Sequence, residues 1–200
     1  MIDGNAALLV IDVQHDFVDD DAPVSCTGGV EMLPRVRALI DACRGAGVPV
    51  VYTQEVHRPG RLDMGRELDG DEPDHCVIGS PGVEIVDDVA PQPGEAVVRK
   101  ARYDAFLNTD LELVLNGLGV LPHDTLILCG LATNVCVHYT GAGAHQRDYR
   151  IRVVRDCCAG SSTEAHDAAL AQLDYLQHGA VVTLAELLVE LGQHRPGQRQ

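Results

Sequence analysis

Short apolar runs alternate along the chain with longer segments in which apolar residues recur at helical spacing. The run at residues 6–11 is apolar at every position, which is typical of a strand buried on both faces of a parallel sheet. At residues 30–45 the apolar side chains recur with the period of an α-helix, and the Gly-rich segment at residues 45–47 ends it. Residues 48–52 then have the apolar pattern of a second strand.

The same alternation continues toward the end of the chain. Strands are predicted at residues 96–98, 125–129, 151–154 and 180–182, and helices at residues 109–118, 134–147, 164–177 and 184–191. The sequence shows no internal repeat and no linker, so we expect an α/β fold, a three-layer α/β/α sandwich whose central, mostly parallel sheet has about six strands. We place one domain at residues 1–192 and a polar tail at residues 193–200.

Residues 53–93 form the least regular part of the sequence. They are rich in Gly, Pro, Asp and Glu and show no sustained apolar period. A connection of this length is too long for a passive loop in a compact domain. We therefore expect this segment to shape a site or an interface.

Composition narrows the class of protein. Apolar residues make up 46% of the chain and charged residues 22%, so the chain can bury a core and does not resemble a disordered protein. No apolar run is long enough to cross a bilayer, and residues 1–5 lack the basic start of a signal peptide. The formal charge of −15 disfavours nucleic acid and anionic membranes as partners. Seven cysteines, an odd number without CxxC spacing, favour a reducing cytoplasm over a disulfide framework.

Three polar residues follow the carboxyl ends of three different predicted strands. Asp12 and Lys100 come directly after their strands, and Cys136 lies at the start of a predicted helix after the strand at residues 125–129. Each has an ordinary interpretation when taken alone: a loop-capping carboxylate, a solvated lysine and a small buried thiol. Ligands of open parallel sheets, however, bind beyond the carboxyl ends of the strands, so we expect the three side chains in one cleft.

Together these side chains can activate a nucleophile without histidine. A thiol at the start of a helix is stabilised as thiolate by the helix dipole and free N–H groups, so the position of Cys136 predicts a lowered thiol pKa. The Asp12 carboxylate can accept the thiol proton, and the Lys100 ammonium can stabilise both anions.

Three segments carry a resemblance to a known family. They are residues 8–17 (LLVIDVQHDF), residues 98–106 (VRKARYDAF) and residues 130–137 (GLATNVCV). With these motifs the chain resembles the isochorismatase-like cysteine hydrolases, which include nicotinamidases and N-carbamoylsarcosine amidase. The resemblance extends from about Ala6 to Val189, and it implies the same three-layer fold.

The resemblance also implies roles for individual residues. Asp12, Lys100 and Cys136 match the catalytic triad of the family. A cis peptide bond between Leu131 and Ala132 is implied, which would turn the Ala132 N–H toward the site. With the Cys136 N–H it would form an oxyanion hole for a tetrahedral intermediate.

Substrate contacts are expected from four further side chains of this pocket: Phe17, His57, Tyr103 and Leu131. The expected reaction is cleavage of a C–N bond in a small amide, carbamoyl or ureido substrate through a thioester on Cys136. Asp12 would shuttle the proton, Lys100 would keep Asp12 ionised, and no cofactor would be required. Family members are usually oligomers, which implies a homodimer or a homotetramer.

A second constellation is Glu55-Val56-His57, which is similar to the Asp-x-His metal pair of nicotinamidases. Two such residues on an extended segment can face the same side and bind a divalent ion. Here Glu replaces Asp, and Arg61 and Asp63 stand where a third histidine is expected. These departures favour an enzyme without a metal, with Glu55 and His57 as the candidate ligands if one binds.

Two other functions are compatible with the same fold. One is the hydrolysis of a vinyl ether, as in isochorismatases, which needs no thiol nucleophile. The other is a catalytically inactive or redox-sensing scaffold, in which Cys136 is oxidised reversibly. The presence of Asp12, Lys100 and Cys136 together favours amide hydrolysis over both.

Overall fold

The computed structural model describes residues 2–70 and 72–194. Six strands form one sheet: β1 (Ala6–Ile11), β2 (Val50–Glu55), β3 (Ala96–Lys100), β4 (Thr125–Leu131), β5 (Arg150–Ala159) and β6 (Val181–Val182). Their order is β3-β2-β1-β4-β5-β6, and every neighbouring pair is parallel. The predicted α/β sandwich is thereby confirmed, with a sheet that is parallel throughout.

In the described part of the chain, six α-helices connect or follow these strands: α1 (His15–Val18), α2 (Gly29–Gly45), α3 (Leu111–Gly117), α4 (His138–His145), α5 (Thr163–Leu176) and α6 (Leu184–Gln193). Three short 3-10 helices, Gly65–Asp69, Pro81–Val83 and Asp87–Val89, lie between β2 and β3. Helix α2 packs against α6, and α4 packs against α5. From β1 through β2 to β3 the chain moves toward one edge of the sheet, and from β3 through β4 and β5 to β6 it moves toward the other. Because crossovers between parallel strands are right-handed, the connecting helices of the two halves lie on opposite faces of the sheet. The helices therefore form the two outer layers of the sandwich.

The direction of winding reverses between β1 and β4, which lie side by side at the centre of the sheet. Every residue of these two strands is buried, in keeping with their continuous apolar sequences. At the carboxyl end of the pair, Ile11 stands opposite Gly130. Gly130 has a φ of +121°, and a Cβ there would lie 2.0 Å from the Ile11 carbonyl oxygen. Only glycine permits this close approach.

Most predicted helices are found within a few residues of their expected ends, and the exception lies after β4. A continuous helix is predicted at residues 134–147, but the chain first forms one π-helical turn, Thr133–Val137, before α4 begins. Asp110 occupies the start of α3, where Thr109 was expected, although the Thr109 hydroxyl still accepts a hydrogen bond from the Leu111 N–H at 3.2 Å.

The end of the chain is described only in part. Of the polar tail predicted at residues 193–200, Gln193 ends α6 and His194 follows it, and the remaining residues lie outside the described part. All seven cysteines are buried free thiols. Among the described helices, none combines the length and apolar character needed to cross a bilayer.

Candidate active site

Four side chains meet at the carboxyl ends of the adjacent strands β3, β2, β1 and β4. Glu55 and Lys100 are the last residues of β2 and β3 and stand opposite each other in register. Asp12 follows β1 directly, and Cys136 lies in the π-helical turn after β4. All four are buried. We call these four residues the strand-end cluster.

The Lys100 ammonium is the centre of the strand-end cluster. Its Nζ lies 2.6 Å from Asp12 Oδ2 and 3.0 Å from Glu55 Oε2. It also lies 3.3 Å from Cys136 Sγ. Burial alone would lower the pKa of Lys100, but the charges of Asp12, Cys136 and Glu55 outweigh it and raise the pKa well above its ordinary value. One cation therefore holds two carboxylates and a thiol together.

Local backbone geometry aims the Asp12 carboxylate into this cluster. Asp12 has a φ of +48°, a left-handed conformation that Asp adopts more readily than most residues. The Thr53 hydroxyl, on the adjacent strand β2, donates to Asp12 Oδ1 at 2.6 Å. In return the Asp12 N–H lies 3.2 Å from the same Thr53 oxygen. These bonds leave Oδ2 free for Lys100.

Glu55 is held by the loop that follows β1. The Gln14 Oε1 accepts from the Glu55 N–H at 2.7 Å, and the Gln14 Nε2 donates to the Glu55 carbonyl at 2.9 Å. In helix α1, which begins at the next residue, Asp16 Oδ2 accepts from the Cys76 N–H at 2.6 Å. These bonds tie the residue 53–93 segment to β1, so the long irregular segment does contribute to the site.

The Cys136 thiol is fully buried, and this changes the expected state of the nucleophile. Burial raises the pKa of Cys136 well above its ordinary value, and the attraction of Lys100 compensates only in part. The prediction of a lowered thiol pKa is therefore wrong, because desolvation outweighs what the helix start contributes. The resting residue is a thiol that must transfer its proton before it can attack.

The two carboxylates of the strand-end cluster differ as proton acceptors. Burial raises the pKa of Asp12 above its ordinary value, and Lys100 offsets only part of this. Burial acts in the same direction on Glu55, but Lys100 and the hydrogen bonds of His57 and His75 hold its pKa well below the ordinary value. Asp12 is therefore the stronger base, although the thiol lies only 3.5 Å from Glu55 Oε2.

A pocket of about 190 Å³ opens onto Cys136, which is smaller than the sites of drug-sized ligands. Phe17, Tyr103 and Ala132 line it, together with Glu72 and His75 of the residue 53–93 segment. The peptide bond that precedes Ala132 is cis.

Two expected substrate contacts do not reach the pocket wall. Leu131 is buried at the end of β4, and His57 is buried behind Glu55. Among the described lining residues, neither is present.

A second cluster adjoins the first and shares Glu55 with it. Its members are Glu55, His57, Glu67 and His75, whose ligand atoms all lie within 4.8 Å of one another. We call it the two-histidine cluster. Glu55 Oε1 lies 3.4 Å from His57 Nε2 and 3.0 Å from His75 Nε2, and His57 Nε2 lies 3.3 Å from Glu67 Oε2. The opposite oxygen of Glu55, Oε2, contacts Lys100.

These four residues fit a divalent ion such as zinc. Ligand atoms at zinc–ligand distances of 2.0–2.2 Å stand roughly 3.3 Å apart in a tetrahedron, close to the separations found here. Both oxygens of Glu67 are buried and accept no hydrogen bond of good geometry from a described residue. The His75 Nδ1–H donates to the Pro73 carbonyl at 2.8 Å, so an uncharged ring would face Glu55 with an acceptor nitrogen. Either a second proton or a metal ion resolves that conflict.

Without a metal, protons hold the two-histidine cluster together. Burial alone would lower the pKa of His57, but its close contacts with the Glu55 and Glu67 carboxylates raise it to about 9. The pKa of His75 is raised as well, again by Glu55 against the effect of burial.

Sequence reasoning identified Glu55 and His57 but missed Glu67, Glu72 and His75. A metal-binding histidine is expected within a few residues of His57, whereas His75 contacts Glu55 from twenty residues further along the chain. The available signal in the sequence was His75 followed directly by Cys76 in an otherwise irregular segment. Glu67 and Glu72 stand among many acidic residues, and nothing in their spacing distinguishes them.

Fold and site define a three-layer α/β enzyme with a cysteine at the switch point of its sheet. The chain belongs to the isochorismatase family, whose family model, described as Isochorismatase domain, matches residues 6–186.

Named relatives give the class of reaction. The chain is 31% identical to the maleamate amidohydrolase of Pseudomonas putida, over 92% of this chain and 86% of that protein. It is 30% identical to a ureidoacrylate amidohydrolase of Methylobacterium radiotolerans, over 84% of this chain and 72% of that protein. An isochorismatase-like hydrolase from Alkaliphilus metalliredigens shares the fold with a TM-score of 0.84 at 32% identity, over 94% of this chain and 99% of that chain. The chain is a hydrolase of non-peptide carbon–nitrogen bonds.

Proposed function

We propose that this enzyme hydrolyses a small amide, carbamoyl or ureido substrate through a thioester on Cys136. The observation that carries the proposal is the buried contact of a thiol, an ammonium and a carboxylate of raised pKa at the floor of a pocket. The relatives named for maleamate and ureidoacrylate hydrolysis support the substrate class.

In the first half of the reaction Asp12 takes the thiol proton, and the thiolate sulfur forms a bond to the substrate carbonyl carbon. The Lys100 ammonium offsets the charge of the thiolate at 3.3 Å. The carbonyl oxygen gains negative charge, and we assign the N–H groups of Ala132 and Cys136 as its oxyanion hole. Asp12 then returns the proton to the nitrogen, the C–N bond breaks, and ammonia or an amine leaves.

In the second half water replaces the leaving group. Asp12 accepts a proton from a water molecule, and the water oxygen attacks the thioester carbonyl carbon. The C–S bond then breaks, the carboxylic acid leaves, and the proton returns to the sulfur. Asp12 serves as base and acid in turn, and its raised pKa suits it to that role, whereas the lowered pKa of Glu55 makes that carboxylate the poorer proton acceptor.

Glu55, His57, Glu67 and His75 would hold a divalent ion if the enzyme uses one. Such an ion would place a positive charge beside the pocket, where it can orient a polar group of the substrate. Elemental analysis of the purified protein, compared with a His57→Ala, His75→Ala double variant, tests this. A metal at one equivalent that the double variant lacks contradicts the expectation of an enzyme without a metal.

We propose a reducing, cytoplasmic location. Seven buried cysteines remain free thiols, and a secreted domain of this size with so many cysteines would ordinarily pair them.

The test of the proposed function is the Cys136→Ala variant in a panel of small amides with ammonia release as the readout. We expect turnover to fall by about 10³-fold or more while the melting temperature is retained. Cys26→Ala is the matched control, because Cys26 is a buried thiol that lines the same pocket. Full activity of Cys136→Ala would refute the mechanism, and it would favour chemistry such as vinyl-ether hydrolysis that needs no thiol.

A further inference from the structure

The pocket above Cys136 offers a substrate negative charge but no free cation. Among the described residues that line it there is no lysine and no arginine, whereas Glu55 and Glu72 both reach its wall. Lys100 is not part of the wall, and its ammonium already contacts Asp12 and Glu55 at 2.6 and 3.0 Å. The remaining polar groups of the wall are hydroxyl groups, thiols and the His75 ring. Both ring nitrogens of His75 are already engaged, Nε2 with Glu55 at 3.0 Å and Nδ1 with the Pro73 carbonyl at 2.8 Å.

Glu72 is the charged group at the open side of this pocket. It is exposed, whereas Glu55 is buried in contact with Lys100. Its carboxylate forms no ion pair with a described residue. Burial raises the pKa of Cys26 to about 12, and the negative charge of Glu72 adds to that effect. Burial also raises the pKa of Tyr103, and the negative charge of Glu72 adds to that effect. The Glu72 charge therefore acts on two separate walls of the pocket.

We propose that Glu72 selects substrates by charge, so that the enzyme cleaves amides whose remote end is neutral or cationic and discriminates against amides with a carboxylate there. This inference rests on the proposed amide hydrolysis and names its substrate class. A substrate carbonyl carbon placed against Cys136 directs the rest of a short molecule toward the pocket mouth. A carboxylate there meets a negative charge that forms no ion pair with a described residue. The nearest wall group that can be cationic, His75, is already bonded to Glu55 and Pro73, so it does not compensate for the water that the carboxylate loses.

The first experiment compares three primary amides of similar length: succinamate, succinamide and 4-aminobutanamide. Their remote ends are a carboxylate, a carboxamide and an ammonium group. We expect kcat/KM, measured by ammonia release, to be about tenfold lower for succinamate than for succinamide, and highest for 4-aminobutanamide. Equal or better hydrolysis of succinamate would overturn the proposal.

Variants assign the effect to one residue. Glu72→Gln should raise kcat/KM for succinamate several-fold and leave succinamide within about twofold, because only the charge of the side chain is removed. Glu31→Gln is the matched control: it removes one exposed negative charge from α2, outside the pocket wall. An unchanged substrate order in Glu72→Gln, or the same change in Glu31→Gln, would refute the role of Glu72.

A second experiment separates this inference from the proposed reaction. The alkylation of Cys136 by iodoacetamide and by iodoacetate is followed by peptide mass spectrometry in wild type and in Glu72→Gln. We expect the variant to accelerate the anionic reagent alone. If Glu72→Gln accelerates alkylation by iodoacetate alone but no amide is hydrolysed, the proposed function is overturned and the charge selection by Glu72 is supported. Equal effects on both reagents, or no alkylation of Cys136 by either, would overturn the charge selection even if amides are hydrolysed.

Discussion

Lys100 is a fully buried ammonium whose charge is balanced by the groups around it. Its side chain has 0% exposure, as has that of Asp12, and the side chain of Glu55 has 1%. Burial of an ammonium costs several kcal/mol, and two carboxylates at hydrogen-bond distance offset that cost. The same contacts tie β1, β2 and β3 together at their carboxyl ends. One side chain thus serves both the stability of the site and its chemistry.

We expect Lys100→Met to abolish amide hydrolysis and to lower the free energy of unfolding by about 3–5 kcal/mol, because it leaves the buried Asp12 carboxylate without a cation and removes one of the partners of Glu55. Denaturant unfolding and ammonia release measure the two effects. Arg99→Met is the control, since Arg99 is the exposed neighbour in β3 and should change stability by about 0.5 kcal/mol or less. A Lys100→Met enzyme that is as stable as wild type would contradict the account of this cluster.

Among individual residues, those that directly follow apolar strands could be predicted from the sequence, and those distant in sequence that pack against them could not. Asp12, Lys100 and Cys136 were accessible because parallel strands bring their carboxyl ends to one edge. Glu67 and His75 come from an irregular segment whose path depends on tertiary contacts such as the Gln14 bonds to Glu55. The pKa of Cys136 was missed for a related reason, since burial cannot be read from a helix start alone.

At the scale of elements, the approach of β1 to β4 positions the site. Gly130→Ala would place a Cβ 2.0 Å from the Ile11 carbonyl oxygen and would strain a φ of +121°. We expect it to lower the free energy of unfolding by about 4 kcal/mol or more, or to prevent folding. Gly117→Ala, in α3, is the control, because an added Cβ meets nothing within 4 Å and should be neutral or slightly stabilising. A Gly130→Ala protein with unchanged unfolding would contradict the described packing of these strands.

The end of α2 is tied to the start of β3 by one ion pair that depends on pH. Arg44 Nε and Nη2 donate to the two Glu95 oxygens, each at 2.8 Å. The hydrogen bonds from Arg44 hold the pKa of Glu95 below its ordinary 4.5, although burial opposes them. A carboxylate with a lowered folded-state pKa stabilises the fold above its unfolded pKa, and this contribution is lost as the pH falls through the folded value.

We therefore expect Glu95→Gln to destabilise the protein by about 1–2 kcal/mol near neutral pH, with a difference that shrinks as the pH falls below about 4.5. Urea unfolding of wild type and variant across this range measures it. Glu31→Gln again serves as control, since Glu31 is exposed and forms no ion pair with a described residue. A difference that stays constant down to pH values near 3 would show that the contribution is not the charge of Glu95.

The elements that sequence predicted well are those whose apolar period is long or continuous, such as β1, β4 and α2. The π-helical turn before α4 was not predictable in this way. A π-helical turn contains one residue more than an α-helical turn. The apolar pattern of Thr133–Val137 is compatible with either, so the sequence does not distinguish this turn from α4. The position of the Cys136 side chain nevertheless depends on this turn, because Cys136 is one of its residues.

For the whole molecule, topology explains why the site lies where it does. The winding reverses between β1 and β4, and the residues that follow these two strands include Asp12 and Cys136. This level was the most predictable, since alternating strands and helices allow few arrangements with right-handed crossovers. The pocket walls were the least predictable, because they come from loops whose lengths carry no such constraint.

We expect the protein to form a homodimer or a homotetramer in solution. Its subunit mass is 21.4 kDa, so light scattering should give two or four times that value. The net charge of −15 makes subunits repel one another, and the assembly should therefore be more complete at physiological salt than at low salt. A mass of one subunit at all concentrations and salt levels would contradict this expectation.

The thioester on Cys136 is the central claim, and partitioning with hydroxylamine tests it most directly. A primary amide and a methyl ester with the same acyl group are hydrolysed in the presence of hydroxylamine, and the ratio of hydroxamate to carboxylic acid is measured for each. A shared thioester predicts the same ratio from both substrates, because the leaving group has departed before water and hydroxylamine compete. Different ratios from the two substrates would contradict a common acyl-enzyme, and with it the role assigned to Cys136.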